Sequence, residues 1–177
     1  MNEPPSRRPK RRPVNPTSSV MRLRRILVPV DFGECTAEAL RYAGAFAREY
    51  KAMVTLLHVV KPGDWEDKRG LSHLTEDPTE VGERQLRKLV DVIWGGEIAT
   101  DVIVATGKPH KQIVNEAKET KADMIIIASH GPVGAWGLIR RGTATWVVRH
   151  APCPVLVVGP FERGFAMDGA AERCVDR

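Results

Sequence analysis

Five short apolar segments, separated by helical patterns and breaker residues, constrain the fold more than any other feature of this sequence. Each is four to nine residues long and rich in Val, Ile or Leu, which is typical of strands buried on both faces. They are residues 26–30, 53–60, 98–106, 124–128 and 155–158. Strands joined by right-handed helical crossovers run parallel, with helices on both faces of the sheet. The sequence therefore predicts an α/β fold, a single doubly wound domain with a five-stranded parallel sheet in the order 3-2-1-4-5.

The segments between these runs carry helical periodicity. Apolar side chains recur at spacings of three and four over residues 39–50 and 81–93. Gly95-Gly96 is expected to end the second of these helices, and Pro109 stands near the first position of the third. A short fourth helix is expected to begin near Gly142-Thr143.

The net charge of +5 belongs to one end of the chain. Residues 1–25 hold eight Lys or Arg side chains and one acidic residue, Glu3, a net of +7, so residues 26–177 carry a net of −2. Basicity confined to an arm does not indicate a nucleic-acid-binding domain. With 42% hydrophobic residues, the chain as a whole has enough apolar side chains for a folded core.

The cysteines and the apolar runs exclude several classes of protein. The three cysteines lie far apart, at positions 35, 153 and 174, without Cys-x-x-Cys or Cys/His ligand spacing. A disulfide framework and a zinc site are therefore not indicated, and a cytoplasmic location is expected. No uninterrupted apolar run is longer than six residues. About 20 are needed to cross a bilayer, so no membrane span is predicted.

One domain with a tail at each end is the expected organisation. Residues 1–20 contain five prolines and no aromatic residue, a composition typical of a disordered arm. Residues 21–160 are expected to form the domain, and residues 161–177 a flexible tail. Met21 directly precedes the first ordered pattern, so translation that begins at Met21 is an alternative.

A ligand site is expected where the first and fourth strands diverge, because open α/β sheets bind ligands at this switch point. The first strand ends at Asp31, and Ser129-His130-Gly131 follows the fourth. A helix amino end near Thr143 offers free N–H groups, which favour phosphate. The sequence predicts a phosphate-binding crevice that contains one carboxylate.

Two common phosphate motifs are missing from the sequence. The turn after the first strand, residues 31–35, reads Asp-Phe-Gly-Glu-Cys and not Gly-x-Gly-x-x-Gly. No Gly-x-x-x-x-Gly-Lys-[Ser/Thr] motif occurs. The sequence therefore does not favour a dinucleotide site of the Rossmann type or a Walker-type ATPase.

Six motifs, taken together and in order, resemble the universal stress protein family over roughly residues 21–160. The resemblance implies a homodimerising α/β domain of a family that often binds ATP with Mg²⁺ or Mn²⁺ and acts in regulation or stress survival. The motifs are Val28-Pro29-Val30-Asp31-Phe32, Leu56-Leu57-His58-Val59, Gly107-Lys108-Pro109, Ala128-Ser129-His130-Gly131, Gly142-Thr143 and Ala151-Pro152-Cys153-Pro154-Val155.

The resemblance also implies a set of nucleotide-binding residues. Pro29, Val30 and Asp31 would lie beside adenine and ribose, with the Asp31 carboxylate accepting a ribose hydroxyl, and Val59 would pack on the base. The other positions would face the sugar and the phosphates or their metal. They are Ile127, Ala128, His130, Gly131, Gly142, Thr143 and Ala144.

Two of these residues have alternative interpretations. Nucleotide-binding members of the family share Gly-x-x-Gly, nine residues, and Gly-[Ser/Thr], whereas here Ala128 replaces the first glycine and ten residues precede Gly142. The Ala128 methyl would crowd a passing phosphate, and alanine disfavours a positive φ. Asp31 would equally serve as a helix cap at a strand-to-helix junction.

The favoured hypothesis is therefore a regulatory protein that binds ATP or a related adenine nucleotide. Efficient hydrolysis is not expected, because no pair of residues in the sequence clearly supplies both an activated water and stabilisation of the phosphoryl group. The alternative is a nucleotide-free, dimeric protein-interaction module of the same family. A third hypothesis gives residues 7–12 a separate role in binding nucleic acid or an anionic surface.

Overall fold

The computed structural model describes residues 22–33, 35–61, 76–129 and 142–159. Strands and helices alternate strictly along these segments. The expected arm, residues 1–20, and the expected tail, residues 161–177, lie outside the described residues. The elements are β1 (Arg25–Val30), α1 (Thr36–Tyr50), β2 (Met53–Val60), α2 (Pro78–Trp94), β3 (Thr100–Thr106), α3 (Pro109–Glu119), β4 (Met124–Ala128), α4 (Thr143–His150) and β5 (Val155–Val158).

The strands form one parallel sheet in the order β3-β2-β1-β4-β5. Both the parallel direction and the predicted strand order are thereby confirmed. β1 is the central strand, and its register places Ile26 beside Val54 of β2 on one side and Met124 of β4 on the other. Strands β2 and β3 follow on one side of β1, and β4 and β5 follow on the other. The switch point of the strand order therefore lies between β1 and β4.

Two hydrophobic cores cover the two faces of the sheet, and β1 contributes to both. Ile26, Val28 and Val30 pack on the face covered by α1 and α2. Leu27, which points the other way, packs against residues of α3 and α4 and is completely buried. Burial of such a side chain stabilises the fold by about 1.5–3 kcal/mol. This two-sided burial explains why the strands are apolar runs without alternation.

A hydrogen-bonded clamp fixes the start of β1. Oδ2 of Asp123, in the turn before β4, accepts the backbone N–H groups of Arg24 at 2.8 Å and Arg25 at 2.9 Å. The Arg25 guanidinium donates to the carbonyl oxygen of Thr120 at 3.0 Å. The α3–β4 turn is thus tied to the amino-terminal end of the central strand.

Helix α2 has clear stop and start signals. The Asp77 side chain accepts the N–H of Thr79 at 2.8 Å, and Pro78 occupies the first turn. Gly95 ends the helix with φ +53°, as the sequence predicts.

No helix in the described part of the chain is long and apolar enough to cross a membrane.

Gly44→Ala provides a test of the α1–α2 contact. A helical Gly→Ala change ordinarily stabilises by about 1 kcal/mol. Here a Cβ at position 44 would lie 2.8 Å from Nε1 of Trp94, which is only 4% exposed. Overpacking of this kind costs about 1–3 kcal/mol, so we expect Gly44→Ala to lower the free energy of unfolding in urea by up to about 2 kcal/mol.

The control for this experiment is Glu49→Ala, on the exposed side of the same helix, which should change stability by less than about 0.5 kcal/mol. If the clash is with the indole, Gly44→Ala should cost less in a Trp94→Phe background. Stabilisation by Gly44→Ala in the native background would contradict the packing described here.

Cys153 allows a pH-dependent prediction. Burial, and secondarily the negative charge of Asp123, raise the pKa of the Cys153 thiol above its ordinary value of 9.0. Above pH 9 the unfolded thiol ionises while the folded thiol keeps its proton, so the unfolded state binds fewer protons and stability falls with rising pH. We expect Cys153→Ala to show a shallower loss of stability above pH 9, and native Cys153 to be alkylated more slowly than the unfolded chain. Equal alkylation rates would contradict this prediction.

Candidate functional site

A cleft opens at the carboxyl ends of β1 and β4, at the switch point that the sequence predicts. Its volume is about 270 Å³, close to the lower end of the roughly 300–1,000 Å³ range of small-molecule pockets. Strands β1, β2 and β4 and the amino ends of α3 and α4 all contribute. The described lining residues are Pro29, Val30, Asp31, Leu57, His58, Val59, Lys61, Pro109, Ile113, Ile127, Ala128 and Thr143.

One side of the cleft is apolar because it continues the core beneath α3 and α4. Leu57 and Val59 alternate on the same face of β2, with Ile127 of β4 and Ile113 of α3 around them. All four are buried. A flat, apolar group such as an aromatic base would bury its faces here.

Asp31 stands at the exposed rim of the cleft and organises the turn into α1. Its Oδ1 accepts the backbone N–H of Gly33 at 2.9 Å and the hydroxyl of Thr36 at 3.1 Å. The N–H of Thr36 also donates to the carbonyl oxygen of Gly33 at 3.0 Å. Asp31 therefore stabilises the turn before α1, but it does not cap the helix as the alternative interpretation expected, because the N-cap residue of α1 is Cys35 and no side chain caps the helix there. The Asp31 carboxylate remains at the edge of the cleft.

His58 locks the end of β1 to β2. Its Nδ1 lies 2.8 Å from the carbonyl oxygen of Val30, and its ring centroid lies 4.7 Å from that of Phe32. Phe32 adopts φ +58°, a left-handed conformation that is unusual for a bulky residue. On the other side, a Cβ at Gly82 of α2 would lie 3.1 Å from the His58 ring. The backbone on either side of Asp31 is thus held by packed side chains.

Two helix amino ends face the cleft. α3 begins at Pro109, after Gly107 with φ +139°, and α4 begins at Thr143. The first N–H groups of a helix lack intrahelical partners and carry the positive end of the helix dipole. Anionic groups are therefore favoured at this end of the cleft.

An aromatic stack fixes α4 against α3. The Trp146 ring lies 4.7 Å from the His110 ring and 3.9 Å from the His150 ring, nearly parallel to the latter. Nδ1 of His150 lies 2.8 Å from the Trp146 carbonyl oxygen. The position of Thr143, one turn earlier, depends on this packing.

Ala128 is the last residue of β4 and pairs with Val158 of β5. Its side chain packs with the core beneath α1 and α2, on the face opposite Ile127. It is not among the residues with positive φ. The backbone at this position therefore does not need glycine in the described conformation, which removes one of the two objections to alanine here.

Seven of the eleven residues that the sequence analysis gave as nucleotide-binding candidates line the cleft. Of the other four, two are described but do not line it, and two are not described. Gly142 and Ala144 flank Thr143 but are not lining residues, and Ala144 packs on the core beneath α3 and α4. His130 and Gly131 lie outside the described residues.

Five lining residues were missed by sequence reasoning: Leu57, His58, Lys61, Pro109 and Ile113. Leu57 shares its face of β2 with Val59 by simple alternation, so the strand pattern contained that signal. Pro109 and Ile113, spaced four apart on α3, reach the cleft only through the packing of the crossover helix.

A metal site made by protein side chains is not evident. The described part of the chain contains no group of three or more His, Cys, Asp or Glu side chains placed to hold an ion. At the end of the cleft formed by α4, the Thr143 hydroxyl is an oxygen donor.

Comparisons with known proteins identify close relatives of this fold. The sequence model of the universal stress protein family matches residues 22–159. A universal stress protein of Methanocaldococcus jannaschii is 30% identical over 156 residues, which cover 76% of this chain and 94% of the relative. The universal stress protein UspA of Lactobacillus plantarum superposes with a TM-score of 0.63 at 25% identity and covers 77% of this chain and 98% of its own.

Two more distant solved structures contain ligands. A universal stress protein in complex with cAMP has a TM-score of 0.60 at 18% identity, with 77% of this chain and 97% of that chain covered. The universal stress protein of Archaeoglobus fulgidus in complex with dAMP has a TM-score of 0.55 at 23% identity, with 77% and 98% covered. At these identities the likeness establishes the shared fold.

Proposed function

The chain belongs to the universal stress protein family, as its motifs indicated, and from this premise we propose that it binds ATP or a related adenine nucleotide in the cleft between β1 and β4. The observation that carries the proposal is that three kinds of binding group lie together at the switch point. An apolar wall, a rim carboxylate and helix amino ends meet within one cleft.

The proposed binding mode follows the polarity of the cleft. The base lies against Val59 and the neighbouring apolar wall, beside Pro29 and Val30, and the Asp31 carboxylate accepts a ribose hydroxyl. The phosphates lie toward α4, where the N–H groups of residues 142–144 and the Thr143 hydroxyl donate to them. Ile127 and Ala128 complete the sugar-phosphate side. The resemblance to the family implies the same role for His130 and Gly131, which lie outside the described residues.

The proposed cofactor ion is Mg²⁺ or Mn²⁺, bound through the phosphates. When bound, it would neutralise part of the phosphate charge. The Thr143 hydroxyl at the start of α4 is a hard oxygen donor of the kind that Mg²⁺ prefers. The protein residues themselves bind and orient the nucleotide.

The ligands of the two distant fold relatives support an adenine nucleotide. cAMP and dAMP differ in sugar and phosphate but share the adenine base. The cleft described here has an apolar wall for the same base. Because those relatives share less than 25% identity with this chain, the argument for ATP rests on the geometry of the cleft itself.

We further propose a regulatory role in the stress response, in the cytoplasm, without efficient nucleotide turnover. Hydrolysis needs a group that orients water and charge that stabilises the phosphoryl group. The carboxylate among the described lining residues is Asp31, and its Oδ1 already holds the turn into α1.

We also propose that the chain forms a homodimer through β5. The same dimer is expected under the alternative hypothesis, a nucleotide-free interaction module. β5 is an edge strand of the sheet, and Val157 on it and Val148 on α4 are 37% and 52% exposed. An apolar edge strand readily pairs with another chain. A second copy of this chain would cover both residues.

Asp31→Asn separates ligand binding from turn capping. The Asn oxygen can still accept from Gly33 and Thr36, so the fold should keep its stability to within about 0.5 kcal/mol. Loss of a charge-assisted hydrogen bond costs about 1.5–3 kcal/mol, so affinity for Mg-ATP by calorimetry should fall roughly 10- to 150-fold.

The matched control is Thr36→Val, which removes the other hydroxyl bonded to Asp31 without a proposed ligand contact. It should lower stability and leave affinity within a few-fold of the native protein. No binding of the native protein at millimolar ATP, or unchanged affinity in Asp31→Asn, would overturn the proposed site and favour the nucleotide-free module.

Val157→Lys tests the dimer. Placing a charge on the edge strand should oppose strand pairing, so sedimentation at micromolar concentration should show a dimer for the native protein and a monomer for the variant. Val92→Lys is the matched control, because Val92 is 83% exposed on α2, away from β5. A monomeric native protein, or equal dissociation of both variants, would contradict the prediction.

A further inference from the structure

Strands β1 and β4 pair with each other over only part of their length. β1 pairs with β2 over all six of its residues, but with β4 only at Ile26 and Leu27. β4 nevertheless continues to Ala128, where it still pairs with β5. The ladder between β1 and β4 therefore stops after Leu27, although both strands extend farther toward the cleft.

Hydrogen bonds at the start of β1 show which backbone groups face each neighbouring strand. The carbonyl oxygen of Arg24 accepts the N–H of Met53, at the start of β2. The carbonyl oxygen of Arg25 accepts the N–H of Asp123, the residue before β4. Successive residues of a strand direct their N–H and C=O groups toward opposite neighbours. The backbone groups of positions 25, 27 and 29 therefore face β4.

Position 29 is a proline, which has no backbone N–H to donate. Leu27 lies opposite Ile125, so the acceptor for an N–H two residues farther along β1 would be the carbonyl oxygen of Ile126. Pro29 therefore withholds the donor that would extend the ladder past Leu27. Pairing of Pro29 with Leu57 of β2 persists, because the proline nitrogen faces away from β2.

The position of this proline coincides with the beginning of the cleft. Proline is ordinarily confined to edge strands or bulges, because it removes a ladder hydrogen bond, whereas Pro29 lies in the central strand. It lines the cleft together with Ile127 and Ala128 of β4. Leu27, two residues earlier in β1, is completely buried in the core beneath α3 and α4. The end of the ladder is thus the floor of the cleft.

We propose that Pro29 is a positioning residue for the ligand site. By withholding an N–H from β4, it keeps β1 and β4 apart beyond Leu27 and so keeps the cleft open. This role belongs to the backbone and is additional to a contact between the proline ring and a ligand. The effect on ligand affinity rests on the nucleotide-binding function proposed above, whereas the effect on strand pairing does not.

Pro29→Ala supplies the missing donor. A backbone hydrogen bond formed in competition with water favours the bonded state by roughly 2- to 12-fold. The ligand then binds only the fraction of molecules in which the strands are apart, and the apparent affinity falls accordingly. We expect the affinity of Pro29→Ala for Mg-ATP, measured by calorimetry, to be roughly 3- to 13-fold lower than that of the native protein.

The same variant has two readouts that do not involve a nucleotide. The new N–H at position 29 should give an additional signal in amide NMR spectra and should exchange with solvent more slowly than an unstructured amide. The unfolding equilibrium constant should stay within about 5-fold of the native value, because the gained hydrogen bond offsets the lost rigidity of proline.

Pro152→Ala is the matched loss of a proline outside the cleft. Pro152 is exposed in the turn before β5, where the new N–H is not placed to extend the β1–β4 ladder. This variant should raise the unfolding equilibrium constant by roughly 2- to 5-fold. Its affinity for Mg-ATP should equal that of the native protein.

A second control separates the missing donor from the proline ring. N-methylalanine at position 29 has neither the ring nor an N–H. Because Cys35 follows shortly after Pro29, a synthetic peptide that ends at residue 34 can be ligated to a recombinant chain that begins with this cysteine. The full chain with N-methylalanine should bind Mg-ATP like the native chain assembled and refolded in the same way.

Three results would overturn the proposal. The first is an N–H at position 29 of Pro29→Ala that exchanges as fast as an unstructured amide. The second is an N-methylalanine chain that loses as much affinity as Pro29→Ala, since the ring contact would then account for the loss. The third is native-like affinity of Pro29→Ala with a protected N–H, since pairing would then not close the cleft.

Failure of the proposed function is distinguishable from these results. Absence of Mg-ATP binding by the native protein would overturn the nucleotide-binding function. The N–H at position 29 of Pro29→Ala would then still decide the effect on strand pairing: slow exchange supports the role of Pro29 in ending the ladder, and fast exchange refutes it.

Discussion

The parallel pairing of β1 with strands on both sides is the constraint on which the rest of the structure depends. Because β2 and β4 both run parallel to β1, each must be reached by a helical crossover, and the crossovers supply the two cores. The same pairing aligns all carboxyl ends at one edge and leaves a gap where the chain order reverses. At the carboxyl end of β1, Nδ1 of His58 lies within hydrogen-bond distance of the Val30 carbonyl oxygen. At its amino end, Oδ2 of Asp123 accepts the N–H groups of Arg24 and Arg25. The conformation of both ends therefore follows from the fixed position of one strand.

The sequence was sufficient to predict the elements and their order, because apolar strands buried on both faces leave a strong pattern. Boundaries were less well determined: β1 begins at Arg25 and not at Ile26, and β3 at Thr100 and not at Ile98. Ile98 is nevertheless buried, and it packs on the core beneath α1 and α2. An apolar residue such as Ile98 can be buried without belonging to the hydrogen-bonded strand, so an apolar run in the sequence overestimates the length of the strand.

The cleft contains most of the predicted residues that lie at strand ends, and Thr143 at the start of α4, whereas Leu57 and His58 of β2 and Pro109 and Ile113 of α3 were missed. Asp31, Val59 and Ala128 lie at strand ends, whose position follows from the topology alone. Pro109 and Ile113 depend on how α3 packs over the sheet, which periodicity does not specify. For Asp31, the sequence left helix capping and ligand binding as alternatives. The structure shows neither alternative directly: Oδ1 accepts from the Gly33 N–H and the Thr36 hydroxyl in the turn before α1, and the carboxylate lies at the rim of the cleft.

The two ends of the molecule are electrostatically independent in practice. At physiological ionic strength the Debye length is about 8 Å, and β1 separates the exposed Arg24 and Arg25 at its start from the cleft by about 20 Å. The charge of a phosphate bound at the proposed site would therefore be largely screened from Arg24 and Lys51. Any coupling between the ends must pass through packing, and the shortest route is β1 with its clamps at Val30 and Asp123. A rigid, fully buried strand transmits a displacement only if its neighbours move with it. Regulation of one end by the other would thus require a rearrangement of the whole sheet or of the β5 edge, and a local shift at either end would not be enough.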